Sequence, residues 1–112
     1  MDTIEMEKGK GHITVEITEY IPHAVVMKTI LKKSSGNISV MSFDSGEGLT
    51  EKTTPFDTFV QVIDGDATIV ISGDSHFLHV GESIVIPAHA PNHVEPNGRF
   101  KLIMTVIKSG YE

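Results

Sequence analysis

The sequence predicts an all-β protein, an antiparallel sandwich or barrel of short strands. Along much of the chain apolar residues alternate with polar ones at a spacing of two, the repeat of a strand with one buried face. Clusters of Gly, Asn, Asp, Ser and Pro interrupt these runs at short, regular intervals. No window of about eleven residues carries apolar side chains at spacings of three and four, so no long helix is expected.

Residues 1–11 hold Glu5, Glu7, Lys8, Gly9, Lys10 and Gly11 and are expected to form a flexible N-terminal segment ahead of one domain over 12–112. His12–Tyr20 reads as the first strand, with Ile13, Val15 and Ile17 alternating with Thr14, Glu16 and Thr18. Further β-rich runs follow at Ala24–Leu31, Asn37–Phe43, Thr58–Ile63, Ala67–Ile71, His76–Val80, Ser83–Ile86 and Phe100–Ile107. Val and Ile dominate them, which suits a pleated surface. By alternation Val60 and Val62 point inward, and Phe59, Gln61 and Ile63 outward. Ser34–Asn37, Asp64–Asp66, Ser72–Ser75 and Pro96–Arg99 read as turns, and Ser72–Ser75 is expected to close a tight hairpin. The longest turn-rich gap runs from Gly46 to Pro55, the kind of loop in which function often sits.

Composition bounds the function. A chain of 112 residues is enough for one core and too short for two. Nine Lys+Arg against fifteen Asp+Glu give a net charge of −6, which argues against a nucleic-acid partner, since that affinity rests on basic groups meeting phosphates. With no Cys, disulfides, Cys-ligated zinc, Fe–S clusters and thiol catalysis are excluded, and the six His are the only soft metal ligands. No apolar run approaches the roughly 18 residues of a membrane span, and the polar, acidic start is unlike a signal peptide. A cytoplasmic location without a membrane partner is the expectation.

Two segments narrow the fold. From Gly46 the chain reads Gly-Glu-Gly-Leu-Thr-Glu-Lys-Thr-Thr-Pro-Phe-Asp-Thr-Phe-Val-Gln-Val-Ile-Asp-Gly, and from Gly81 Gly-Glu-Ser-Ile-Val-Ile-Pro-Ala-His-Ala-Pro-Asn-His-Val-Glu-Pro. Together they resemble the two motifs of the cupin family, small jelly rolls with a double-stranded β-helix barrel. Gly46, Gly65, Gly81 and Pro87 fall where that family places its backbone-shaping residues, and the likeness covers about residues 37–107. It is greatest to small cupins of the cupin 2 conserved-barrel type, many of unassigned activity. The resemblance also implies a homodimer formed through N-terminal strands, which would place His12–Tyr20 against a partner sheet.

Cupins usually hold a metal with two His and a Glu from the first motif and a His from the second. In this register those positions are Lys52, Thr54, Thr58 and Asn92. An ammonium about 4 Å from a cation is repelled by roughly 4 kcal/mol per unit charge at an effective dielectric near 20. Hydroxyls and an amide are poor ligands for metals that prefer imidazole or carboxylate. The same set suits a small polar or anionic molecule, and Asp57 could pair with Lys52. Met41 and Met104 are either pocket wall or plain core.

Two other readings stand beside this one. His89 fills the motif's Gly position and His93 stands one residue beyond its His, both assigned to the turn Pro87–Pro91. A bulge bringing His93 inward would allow a divalent metal and an oxidoreductase or isomerase, whereas on a regular strand the slip of one turns it outward. In the third reading the fold is a non-catalytic dimeric regulatory module. His76 and His79, on one strand, would face opposite sides roughly 10 Å apart. Gly-x-Gly at 9–11 and 46–48 lacks the third Gly and the strand-to-helix setting of a nucleotide site.

Overall fold

Val- and Ile-rich runs form nine strands among residues 5–108, which the computed structural model describes. They are β1 (Val25–Lys33), β2 (Gly36–Phe43), β3 (Leu49–Lys52), β4 (Asp57–Asp64), β5 (Ala67–Ile71), β6 (Asp74–Leu78), β7 (Ser83–Ile86), β8 (Asn92–Val94) and β9 (Phe100–Ile107). Every pairing is antiparallel. One sheet runs β1-β2-β9-β4-β7 and the other β3-β8-β5-β6. The order is non-sequential, and each hydrophobic face is buried against the other sheet. The all-β jelly roll read from the sequence is the fold observed.

The core follows from register. Met41, Leu102 and Val62 are cross-strand partners on β2, β9 and β4, and all three are buried. One step along lie Ser39, Met104 and Val60, and at the other end Phe43 and Phe100 stack at 4.4 Å. Ile69 and Val94 answer them from the second sheet. Each such side chain contributes about 1.5–3 kcal/mol on burial. Val60 and Val62 are fully buried while Phe59 is part exposed, as alternation predicts. Met41 and Met104 pack in or against this core. Gly65 holds a φ of +67°, and a Cβ there would lie 2.2 Å from the Arg99 carbonyl oxygen, so only Gly fits.

The hairpin expected at Ser72–Ser75 is present, with Ile71 facing Asp74 and Ser72 and Gly73 both at positive φ. Other boundaries differ from expectation. The gap from Gly46 to Pro55 contains β3, and Asn92–Val94 forms β8, so His93 leaves the turn to which the sequence assigned it. His12–Tyr20 is not a strand. It carries a single 3-10 turn, Thr14–Glu16, and its alternation does not track burial: Ile13 is 63% exposed whereas Thr18 is buried.

What fixes this segment is polar. Lys101, between Phe100 and Leu102, must face the outer side of its sheet, and its ammonium donates to Val15 O and Thr18 O, both at 2.6 Å. Ser42 Oγ donates to Glu19 O, and Tyr20 Oη donates to Asp64 Oδ2 at 2.6 Å. A bulge between Val62 and Asp64 pairs Asp64 with Lys101, on that same face. Earlier residues lie along β1: the Met6 N–H donates to Ile30 O, and the Glu5 carboxylate accepts the Lys32 N–H. Residues 1–4 of the segment expected to be flexible fall outside the described residues.

Candidate functional site

Of the four positions the family resemblance singled out, the structure brings two into register. Lys52 ends β3 as the cross-strand partner of Asn92, which opens β8. Partners across an antiparallel pair share a face, and Val94, two residues on, is in the core, so both point inward. The Asn92 amide donates to Lys52 O at 3.2 Å and Ala90 O at 3.0 Å. Its buried Oδ1 has no hydrogen-bond partner. A buried acceptor left unpaired costs about 1–3 kcal/mol.

Lys52 is exposed as a residue, yet its surroundings take enough water from the ammonium to lower its pKa below the usual lysine value. Burial is the whole cause, and no carboxylate offsets it. Asp57, the partner expected for it, accepts the Ala88 N–H at 2.8 Å. Thr54 lies on the loop between β3 and β4, where its hydroxyl donates to Phe56 O at 3.0 Å. Thr58 stands on β4 in the other sheet, between Val106 and Ile86. The loops join here: the His89 N–H donates to Thr54 O and the Ser72 N–H to Pro91 O.

The displaced histidines do not converge. The pairings of β8 with β5, Ile69 with Val94, Val70 with His93 and Ile71 with Asn92, run without a break, so no bulge turns His93 inward. The irregularity sits on β3, between Leu49 and Lys52. His93 faces outward and shares a hydrogen bond with Glu95 at 2.7 Å. His89 stays in the turn, exposed, with a φ of +69°. His79 lies just beyond β6 and bonds Asp66 at 2.8 Å, which raises its pKa, so it and His76 do not share a strand. Among the described residues no three of His, Asp and Glu gather as a metal-holding group, and Lys52, Thr54, Thr58 and Asn92 do not fit a divalent metal.

Sequence reasoning missed a second cluster, on the opposite side of the five-stranded sheet. Lys101 and Arg99 lie 4.8 and 5.2 Å from the Tyr20 ring centre. Burial, then the Asp64 carboxylate, push the Tyr20 hydroxyl well above its usual pKa. Asp44 accepts from the His23 N–H and the Arg99 guanidinium, both at 2.8 Å, and its pKa falls to about 2. The signal available was a lysine at an outward position between two core residues of a strand. A cavity of about 470 Å³ opens beside this segment, lined by Met6, His12, Ile17 and Lys28 among others.

Comparison with protein-family models and with curated proteins finds no match. Solved structures do match. A cupin 2 conserved-barrel protein from Leptotrichia buccalis is 33% identical over 84% of this chain, with a TM-score of 0.81. The chain belongs to the cupin superfamily. It spans 46% of the Leptotrichia protein's length. Two more distant structures show the same fold over nearly the whole of both chains. A conserved Streptococcus pyogenes protein of unknown function has a TM-score of 0.88 at 23% identity, covering 95% of this chain and 93% of its own. A cupin from Desulfitobacterium hafniense has a TM-score of 0.86 at 20% identity, covering 96% and 98%. Within this cupin, then, the scaffold residues of both motifs are kept while a lysine and an amide stand where the family's ligands usually do.

Proposed function

We propose that this cupin binds a small polar or anionic molecule at the mouth of its barrel without the usual metal, and that it acts as a cytoplasmic homodimer. The observation that carries the reading is Lys52: its side chain leaves β3 on the face it shares with Asn92, burial lowers its pKa, and among the described residues no carboxylate pairs with it. Such a group gains most from an anion that replaces its lost hydration. Asn92 bears only on the polar case, since its buried, unpaired Oδ1 could accept a hydrogen bond from a donor group of a ligand that reaches it, and gives an anion nothing. Thr58, on β4 of the facing sheet, and Thr54, on the loop after β3 with its hydroxyl bonded to Phe56 O, are the further hydroxyls of the reading. No helix of the described residues is long and apolar enough to cross a membrane.

The test is a titration of ¹⁵N-labelled protein with acetate and with inorganic phosphate, followed through the amide resonances. Saturable shifts centred on Lys52 and Asn92, abolished in Lys52→Met, are expected. Unmoved resonances, or shifts that persist in the variant, would remove the reading. Elemental analysis of protein purified without chelator or metal-affinity tag tests the metal reading. Stoichiometric metal that disappears in His93→Ala would replace anion binding with a metal centre.

A further inference from the structure

The N-terminal segment crosses the outer face of the five-stranded sheet as a strap tied at both ends. At one end the Met6 N–H donates to Ile30 O and the Glu5 carboxylate accepts the Lys32 N–H, both on β1. At the other end Lys101 holds Val15 O and Thr18 O, and Ser42 holds Glu19 O. Between the ties lies the cavity of about 470 Å³, with Met6, His12, Glu16 and Ile17 on the strap and Lys28 and Thr29 on β1. Its size falls within the roughly 300–1,000 Å³ of small-molecule sites.

The charges around it decide what fits. Glu5, which also lines it, is committed to the Lys32 N–H, and His12 Nε2 donates to Glu7 O at 3.4 Å. Glu16 and Lys28 are left over. Among the described residues neither side chain makes an ion pair or a hydrogen bond. Yet both line this cavity, and both line a second of about 260 Å³ beside it. Opposite charges that share two cavities without meeting leave a gap between them. A molecule carrying an ammonium and a carboxylate spans such a gap, whereas a plain anion would meet Glu16 and a plain cation would meet Lys28. Half-buried Met6 and Ile17 supply an apolar wall for the rest of it. In the smaller cavity Thr18, 3% exposed, carries a buried Oγ1 with no hydrogen-bond partner. A hydroxyl there can donate to a carboxylate or accept from an ammonium.

We propose that this cavity binds a zwitterion with an apolar side chain, of the chemical class of an aliphatic α-amino acid. Glu16 takes its ammonium, Lys28 its carboxylate, and Met6 and Ile17 its side chain. The site lies on the outer face of the sheet and does not depend on Lys52 at the barrel mouth. Both of its charges are exposed, and exposed charge pairs contribute little, so the affinity is weak, with a Kd on the order of 1 mM. Because Glu16 belongs to the strap and Lys28 to β1, a bound molecule also ties the two together.

Titration of ¹⁵N-labelled full-length protein with leucine tests this through the amide resonances. Saturable shifts are expected over residues 12–18 and at Lys28 and Thr29, and saturating leucine should slow amide exchange in the strap. Isocaproate lacks the ammonium, isoamylamine the carboxylate and glycine the side chain, and each should bind at least about 5-fold more weakly. Glu16→Gln and Lys28→Met, both at exposed positions, should each weaken leucine by about 5-fold with an unchanged circular dichroism spectrum. Lys52→Met should bind leucine as wild type does. No shift by about 50 mM leucine overturns the site. Isocaproate or isoamylamine binding as tightly as leucine overturns the zwitterion, and leucine shifts undiminished in both Glu16→Gln and Lys28→Met overturn the assignment of its charges.

Discussion

Two lysines on two strands divide this molecule. Lys101 is buried, with its ammonium committed to Val15 O and Thr18 O and lying against the Tyr20 ring. Lys52 faces the barrel mouth, loses part of its hydration to burial, and gains no carboxylate in return. The first holds structure, since every strong interaction it can make is already made within the chain. The second keeps its donors for something from outside. The residue type is the same in both, and the difference lies in what the fold has spent. The way to break the comparison is to remove each charge in turn.

Lys101→Met should have the largest effect. It leaves two carbonyls without their donor and frees the segment from Val15 to Tyr20 that covers the sheet. An unpaired buried acceptor costs about 1–3 kcal/mol, and part of that is recovered when the segment lifts into water. A net loss of about 2 kcal/mol is expected, seen in urea unfolding and as a fall in Tm of roughly 10 °C. Amide exchange should quicken over residues 13–20 first. Unchanged stability would mean that the apolar contacts of Ile17 hold the segment unaided.

The contrast also marks what could be read in advance. The strands at 58–63, 67–71, 83–86 and 100–107 were legible because Val, Ile and other β-forming residues fill them between turn signals, and in β4 burial also follows the alternation. β3 and β8 were not, being four and three residues long with turn-forming neighbours. His12–Tyr20 alternates without being a strand, because period two is only a local preference and a ladder needs a partner edge. Its backbone is held instead by side chains of Lys101 and Ser42, arriving from positions 83 and 23 residues away. Nothing local encodes such contacts. Lys52 and Asn92 were legible as one position in each of two motifs, whereas their cross-strand pairing and the unpaired oxygen of Asn92 follow only from the fold.

Acid should separate the two regions next. The His23 N–H, then the Arg99 guanidinium, hold Asp44 at about 2, down from 3.8. A carboxyl whose pKa is depressed by folding stabilises the fold above its unfolded value and loses that contribution as pH falls through the folded one. Stability should therefore decline between about pH 4 and pH 2, and Asp44→Asn should flatten the decline. The effect is smaller than that of Lys101→Met, because Arg99 is more than half exposed and water screens the pair. Urea midpoints at pH 5 and pH 3 for both proteins measure it. An equally steep decline in Asp44→Asn would place the acid-sensitive carboxylate elsewhere.

Lys52→Met should have the smallest effect and the opposite sign. Folding lowers the pKa of Lys52, so the charged form is less favoured in the folded chain than in the unfolded one. Below that lowered pKa the ammonium therefore costs stability, and as pH rises through it the cost disappears. Replacing the charge with a thioether of similar length should stabilise the protein near neutrality, by less than about 0.5 kcal/mol because the residue remains largely solvated. The advantage should shrink toward zero in strongly alkaline solution, where wild type is also uncharged. A clear loss of stability in Lys52→Met would show the ammonium already engaged within the chain. It would then be a second Lys101, leaving the barrel mouth without a free cation to offer a ligand.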